Sequence, residues 1–155
     1  MVKAVLLALA LVFIVLAFSG ERGTLYEDVE LPPVASDQQC LKLSLVQDFP
    51  GHPKRLGLAD IRNDSVEIRI DQWPATNTNG TYSTQALLNW TKADHHNLYI
   101  LLLHEVGWHL ALDMHGHASK GIGYKYPLEA EYTAEEAADL EQLAVAFFPN
   151  TCVLN

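Results

Sequence analysis

Strands first and helices after is the order that the sequence predicts for this 155-residue chain, and three patterns predict it. "CLKLSLV" (Cys40–Val46) and "SVEIRI" (Ser65–Ile70) alternate apolar and polar residues with the period of half-buried strands. "NLYILLLHEVGWHLALDM", from Asn97, is apolar almost all round and too long for a strand, as expected of a helix buried through a domain centre. "TAEE", from Thr133, is a capping box that opens a final helix: the Thr hydroxyl takes one orphan backbone N–H, and Glu136 is placed to reach back to another.

The remaining elements follow in chain order. "MVK" and the apolar run Ala4–Phe18, with small residues at Ala17, Ser19 and Gly20, have the form of a secretory signal peptide. The run is shorter than the roughly 20 residues of a membrane span, which favours cleavage near Ser19–Gly20 over an uncleaved anchor. Residues 1–20 are therefore assigned to a signal peptide, 21–39 to an extended arm or short pro-segment carrying a Pro-Pro pair, and 40–155 to one domain. "QDFPGHPK" turns the chain between the two strands. "DQWPATNTNGTYST" is a loop with a possible hairpin at Asn79-Gly80. "TQALLNW" is expected as a short third strand. "HGHASKGIGYKYP" is an irregular connection, and the last helix places Leu140, Leu143, Ala144 and Phe147 on one face before Pro149 stops it. Its acidic residues Glu135, Glu136, Asp139 and Glu141 are expected on a solvated face.

Composition narrows the function classes. A hydrophobic fraction of 49% suffices for a core. Ten Lys+Arg against 19 Asp+Glu, a net charge of −9, leave no basic face for nucleic acid. Export makes Cys40 and Cys152 candidate disulfide partners, with two buried free thiols, or one thiol over a metal, as the competing readings. Asn63-Asp-Ser65, Asn79-Gly-Thr81 and Asn89-Trp-Thr91 match the glycosylation acceptor pattern.

The chemistry concentrates in "HEVGWHLALDMHGH" (residues 104–117). Two histidines at i and i+4 on a helix reach one zinc, and a glutamate beside the first serves as general base. Here His104-Glu105 are followed by His109 at i+5. Five residues of regular α-helix turn a side chain about 140° away, so a regular helix cannot aim both rings at one metal. A π-bulge at Gly107-Trp108 absorbs the extra residue and leaves His115 as third ligand. Alternatively His109 and Asp113, at i and i+4, join His115 or His117. The competing view is of core histidines with satisfied hydrogen bonds and a Glu105 held in a salt bridge. Four histidines beside a glutamate within fourteen residues favour the metal. His95 and His96 are expected on the surface.

With one residue inserted, this stretch resembles the H-E-x-x-H-x-x-G-x-x-H signature of the metzincin zinc peptidases, and its surroundings are similar to the matrixin branch. "LADIRNDSVEIRI", "NWTKADHHNLYILLLHE", "GYKYP" and "YTAEEAADLEQLAVAFF" resemble, in the right order, that branch's early strand region, active-site helix, Met-turn and C-terminal helix. The sequence departs from the pattern at the helix-ending glycine, where Ala111 or Leu112 stands, and at the Met-turn methionine, where Lys125 stands. The resemblance implies an α+β fold: a small twisted mixed β-sheet, a central active-site helix and a capped C-terminal helix. It further implies Zn2+ held by His104, His109 and His115, and Glu105 as base in the hydrolysis of polypeptides; Asp113 and His117 stay in reserve from the spacing alone. Calcium loops of the kind many matrixins carry are missing, so Ca2+ is not expected. The expected protein is a secreted monomer with no stable membrane association after signal cleavage. The alternative is a catalytically inactive pseudo-peptidase of the same fold, acting as a secreted binding module.

Overall fold

Leu41, Leu43 and Leu45 alternate with Lys42 and Ser44, and that alternation builds the central strand of the sheet, β1 (Leu41–Val46). The computed structural model describes residues 40–74 and 79–155; the expected signal peptide and N-terminal arm lie outside the described residues. No helix among the described residues is long and apolar enough to cross a membrane. Four further strands follow: β2 (Gly57–Asp60), β3 (Ser65–Arg69), β4 (Gly80–Ser83) and β5 (Asn150–Leu154). They form a five-stranded mixed sheet in the order β2-β3-β1-β5-β4. Parallel pairing joins β1 to β3 (Leu43↔Val66, Leu45↔Ile68) and to β5 (Leu43↔Val153), while β2 and β4 run antiparallel at the two edges. Leu41, Leu43, Val66, Ile68 and Val153 are all buried, and they meet the helices in one core.

Three α-helices accompany the sheet: α1 (Thr84–Asp94), α2 (His96–Leu102) and α3 (Ala134–Phe147). Helix α1 replaces the short strand expected at "TQALLNW". Ser83 caps it by accepting from the Ala86 N–H, and its buried residues Thr84, Leu87, Leu88 and Thr91 recur at helical spacing. That period is complete only at Thr91, one residue beyond "TQALLNW". Gly80 opens β4, whose partner among the described residues is the distant β5; the first arm of the hairpin considered at Asn79-Gly80 lies largely outside them. The Thr84 hydroxyl meets that of Thr151 at 2.8 Å in the interior, tying α1 to the same strand.

Helix α2 runs without a break into a π-helical segment, Leu103–Ala111. Leu98 through Val106 are all buried, which accounts for the unbroken apolar run. Gly107 faces α3 so closely that an added Cβ would lie 3.0 Å from Leu140 Cβ and 3.2 Å from its carbonyl oxygen. The Thr133 hydroxyl caps α3 as expected, accepting from Glu136 N–H at 3.0 Å. The Glu136 carboxylate does not close the box; it accepts instead from the Ile122 N–H at 2.8 Å. Glu141 is also drawn from the solvated face. It accepts from Tyr99 Oη at 2.7 Å and Gln85 Nε2 at 2.9 Å, with Lys92 Nζ at 3.4 Å.

Cys40 and Cys152 form a disulfide that ties the entrance of β1 to β5 across 112 residues. A closed loop of that length restricts the unfolded chain, so the Cys40→Ala/Cys152→Ala variant is expected to lose roughly 3–5 kcal/mol in urea denaturation. A loss below about 1 kcal/mol would show that the sheet holds this seam without the bond. Gly107→Ala must push α3 outward and is expected to cost about 1–3 kcal/mol in the same assay.

Candidate metal centre

The π-helical segment settles the spacing problem geometrically. Its hydrogen bonds step five residues, as in Leu112 N–H to Gly107 O (3.0 Å) and Met114 N–H to His109 O (3.2 Å). Residues five apart therefore return to about the same face. The rings of His104 and His109 lie edge to face with centroids 4.8 Å apart. Just past the helix end, Asp113 takes a left-handed φ of 54° that turns the chain. Aspartate tolerates that conformation better than most side chains.

Beyond the turn the chain comes back over the helix, and it is His117 that arrives. Its ring stacks on His104 at 5.5 Å and meets His109 edge-on at 5.2 Å. Ligand atoms of His104, His109 and His117 all lie within 4.8 Å of one another. His115, the third ligand expected from the sequence, is not in this group. Its side chain is 77% exposed, with Nε2 at 3.4 Å from the carboxylate of Asp113, so the other reserve ligand is also turned to solvent. Of the sequence expectations, His104 and His109 come together as foreseen, and His117 stands where His115 was expected.

Hydrogen bonds orient the first two rings. His104 Nδ1 is 2.6 Å from the Ile122 carbonyl, and His109 Nδ1 is 2.5 Å from that of Met114. A carbonyl can only accept, so each Nδ1 carries the proton and each Nε2 keeps its lone pair. This is the tautomer and outer-shell support that metal-ligating histidines use. Burial, helped by the neighbouring His109 and His117, lowers the His104 pKa to about 4 against the opposing Ile122 carbonyl. Burial lowers His109 as well. His117 is lowered by burial, then by His109 and by the charges of Lys125 and Arg55. All three imidazoles are therefore neutral at pH 7, the form in which they bind metal.

These residues fit a divalent zinc in donor type, tautomer and charge. Tetrahedral Zn–N bonds of about 2.0–2.1 Å require nitrogens about 3.3 Å apart, within the 4.8 Å that spans the three ligand atoms, and His117 is the most exposed of the three. Lys125, at the Met-turn position, is exposed and places Nζ 5.6 Å from the Tyr126 ring centroid.

Glu105 sits beside the triad at 5% exposure. Its carboxylate packs on β2, where a Cβ on Gly57 would come within 2.7 Å of Oε1, and it accepts a hydrogen bond from the Ala59 N–H. Burial pushes this carboxyl up to about 8, against the pull of the Ala59 N–H and the Arg55 charge. Arg55 and the Gly57–Ala59 contact were not foreseen from the sequence. Nothing in the spacing signals them, because β2 is only four residues long.

These shifts set a pH dependence for the zinc-stripped chain. Glu105 has a folded pKa raised from 4.5 to about 8, so it stabilises the fold below pH 4.5 and loses that contribution as pH rises towards 8. His104 has a folded pKa depressed from 6.5 to about 4, so its contribution is present above pH 6.5 and lost as pH falls towards 4. In chelator, Glu105→Gln is expected to gain on the native chain by roughly 3–5 kcal/mol as pH rises through the Glu105 window. Parallel native and variant curves in denaturant titrations would contradict the buried neutral carboxyl.

No family model, curated protein or solved structure matches this chain. The resemblance to the metzincins therefore rests on the motif residues of the sequence alone.

Proposed function

We propose that the protein is a secreted zinc-dependent endopeptidase of metzincin, matrixin-like type, with zinc held by His104, His109 and His117 and Glu105 as general base. The observation that carries this reading is the convergence of three neutral imidazoles, two with Nε2 left free by backbone carbonyls, beside a buried glutamate. Zinc bound there would supply Lewis acidity towards a carbonyl oxygen and would make water acidic near neutral pH. Glu105 would take the proton from the attacking water and return it to the departing amine. The base role requires the ionised carboxylate, which a dication bound beside it would favour by lowering the raised pKa of the metal-free site. The Ile122 and Met114 carbonyls keep the imidazoles in one orientation throughout.

Polypeptide as substrate is supported by β2. Among the described residues its one sheet partner is β3, which leaves it an edge strand, and its Ala59 N–H donates to Glu105. An extended chain can add to such an edge. Export is supported by the leader pattern and by the disulfide, a bond that persists in oxidising compartments. The competing reading, a pseudo-peptidase that binds without cleaving, draws on one observation. The Glu105 carboxylate is engaged with the Ala59 N–H and packed on Gly57, with little exposure to a reacting water.

Zinc content and cleavage of an unstructured protein substrate separate the two. The native chain is expected to carry one zinc and to cleave. Glu105→Ala should keep the zinc and lose about 10²–10⁴-fold in rate. His117→Ala should lose zinc, and His115→Ala should keep both zinc and activity. A zinc-loaded native chain without Glu105-dependent cleavage would establish the binding module. Zinc lost from His115→Ala but kept by His117→Ala would restore His115 as the ligand.

A further inference from the structure

Trp108 is the residue that lengthens the motif by one, and its side chain has a definite task in the fold. The indole Nε1–H donates to the Gly116 carbonyl at 2.9 Å, immediately before His117. The ring lies flat enough on Gly123 that a Cβ there would come within 2.6 Å of indole Cδ2 and Cε2. The Trp108 carbonyl also accepts from the Met114 N–H at 3.3 Å. The loop is closed on itself by Ala118 N–H to Gly123 O at 2.8 Å and by the bridge between Ala118 and Tyr124. His117 sits between two anchored points, Gly116 and Ala118, while its own ring meets only the other two histidines among the described residues.

We infer that Trp108 is the positioning residue for the third metal ligand: its indole clamps the loop of residues 114–123 onto the helix end and so presents His117 to His104 and His109. The inference rests on the metal reading above and deepens it. In a π-helical register the added residue both restores the His104–His109 pairing and supplies the clamp. A glycine at position 123 is required because the ring occupies the space of any side chain there.

The test uses the full disulfide-bonded chain, stripped with chelator and titrated with Co2+, whose visible absorption reports the ligand set. Trp108→Phe keeps a ring on Gly123 and removes the donor. It is expected to weaken Co2+ binding about 5–30-fold, in keeping with a lost hydrogen bond at a half-buried site. In a His117→Ala background, titrated at the high Co2+ concentrations that the remaining His104–His109 pair requires, the same change should alter this weak affinity less than about twofold, because the residue acts through His117. A loss in that background as large as in the native chain would show a general structural role and overturn the inference. Hydrogen exchange of the metal-free chain gives the metal-independent readout. Trp108→Phe should speed exchange of the 114–123 amides about tenfold and leave α3 and β1 unchanged. Unchanged loop exchange overturns the clamp whatever the metal does. A native chain that binds no Co2+, with the loop still freed by Trp108→Phe, contradicts the metal reading and upholds the clamp.

Discussion

The candidate site depends on the five-residue hydrogen-bond step of Leu103–Ala111. In α-helical register His104 and His109 would diverge by about 140°, and Trp108 would point elsewhere. In π register the two imidazoles face each other, and the indole reaches the returning loop. A π turn is a costly backbone arrangement, usually confined to short bulges. Here it is supported on all sides: Leu103 and Val106 are buried in the core, Leu140 of α3 packs on Gly107, and Asp113 ends the helix in a left-handed turn.

The electrostatics follow from the same burial. An apolar surround keeps His104 and its neighbours neutral and Glu105 protonated well above the usual carboxylate range. Two cations, Arg55 and Lys125, act on His117 and help keep it uncharged. They also oppose a dication, so the metal reading requires the three imidazoles to outweigh them, which direct coordination does far more effectively than a solvated charge at a distance repels. Glu136 adds a further support. By holding the Ile122 N–H it fixes the residue whose carbonyl orients His104.

Much of this was legible in the sequence, for reasons that differ by element. β1 and β3 show clean alternation because one of their faces is buried, and the Thr133 cap has a side-chain signature. The Cys40–Cys152 pairing was a candidate from the leader pattern and from there being two cysteines, and the disulfide forms between them. β2 and β5 were not legible: four residues ending in Asp60, and a strand directly after Pro149, carry too little pattern. α1 was hidden because its first seven residues fit a strand as well as a helix, and the deciding contact, Thr84 to Thr151, is 67 residues away. A π-bulge at Gly107-Trp108 was one of two remedies that the i+5 spacing allowed, and the π register extends further, over Leu103–Ala111. The third histidine of the cluster was not anticipated, since counting from His109 favours His115, whereas the turn at Asp113 and the Trp108–Gly116 hydrogen bond accompany the return of His117 to the other two rings. Only the folded loop carries that information.

The central claim is that the extended motif builds one three-histidine centre. It is tested most directly by 113Cd–15N scalar couplings in the cadmium-loaded, 15N-labelled chain with assigned imidazoles. The account predicts couplings to Nε2 of His104 and His109 and to one ring nitrogen of His117, with Nδ1–H retained on the first two. Coupling to His115 in place of His117, or to His104 without His109, would contradict it.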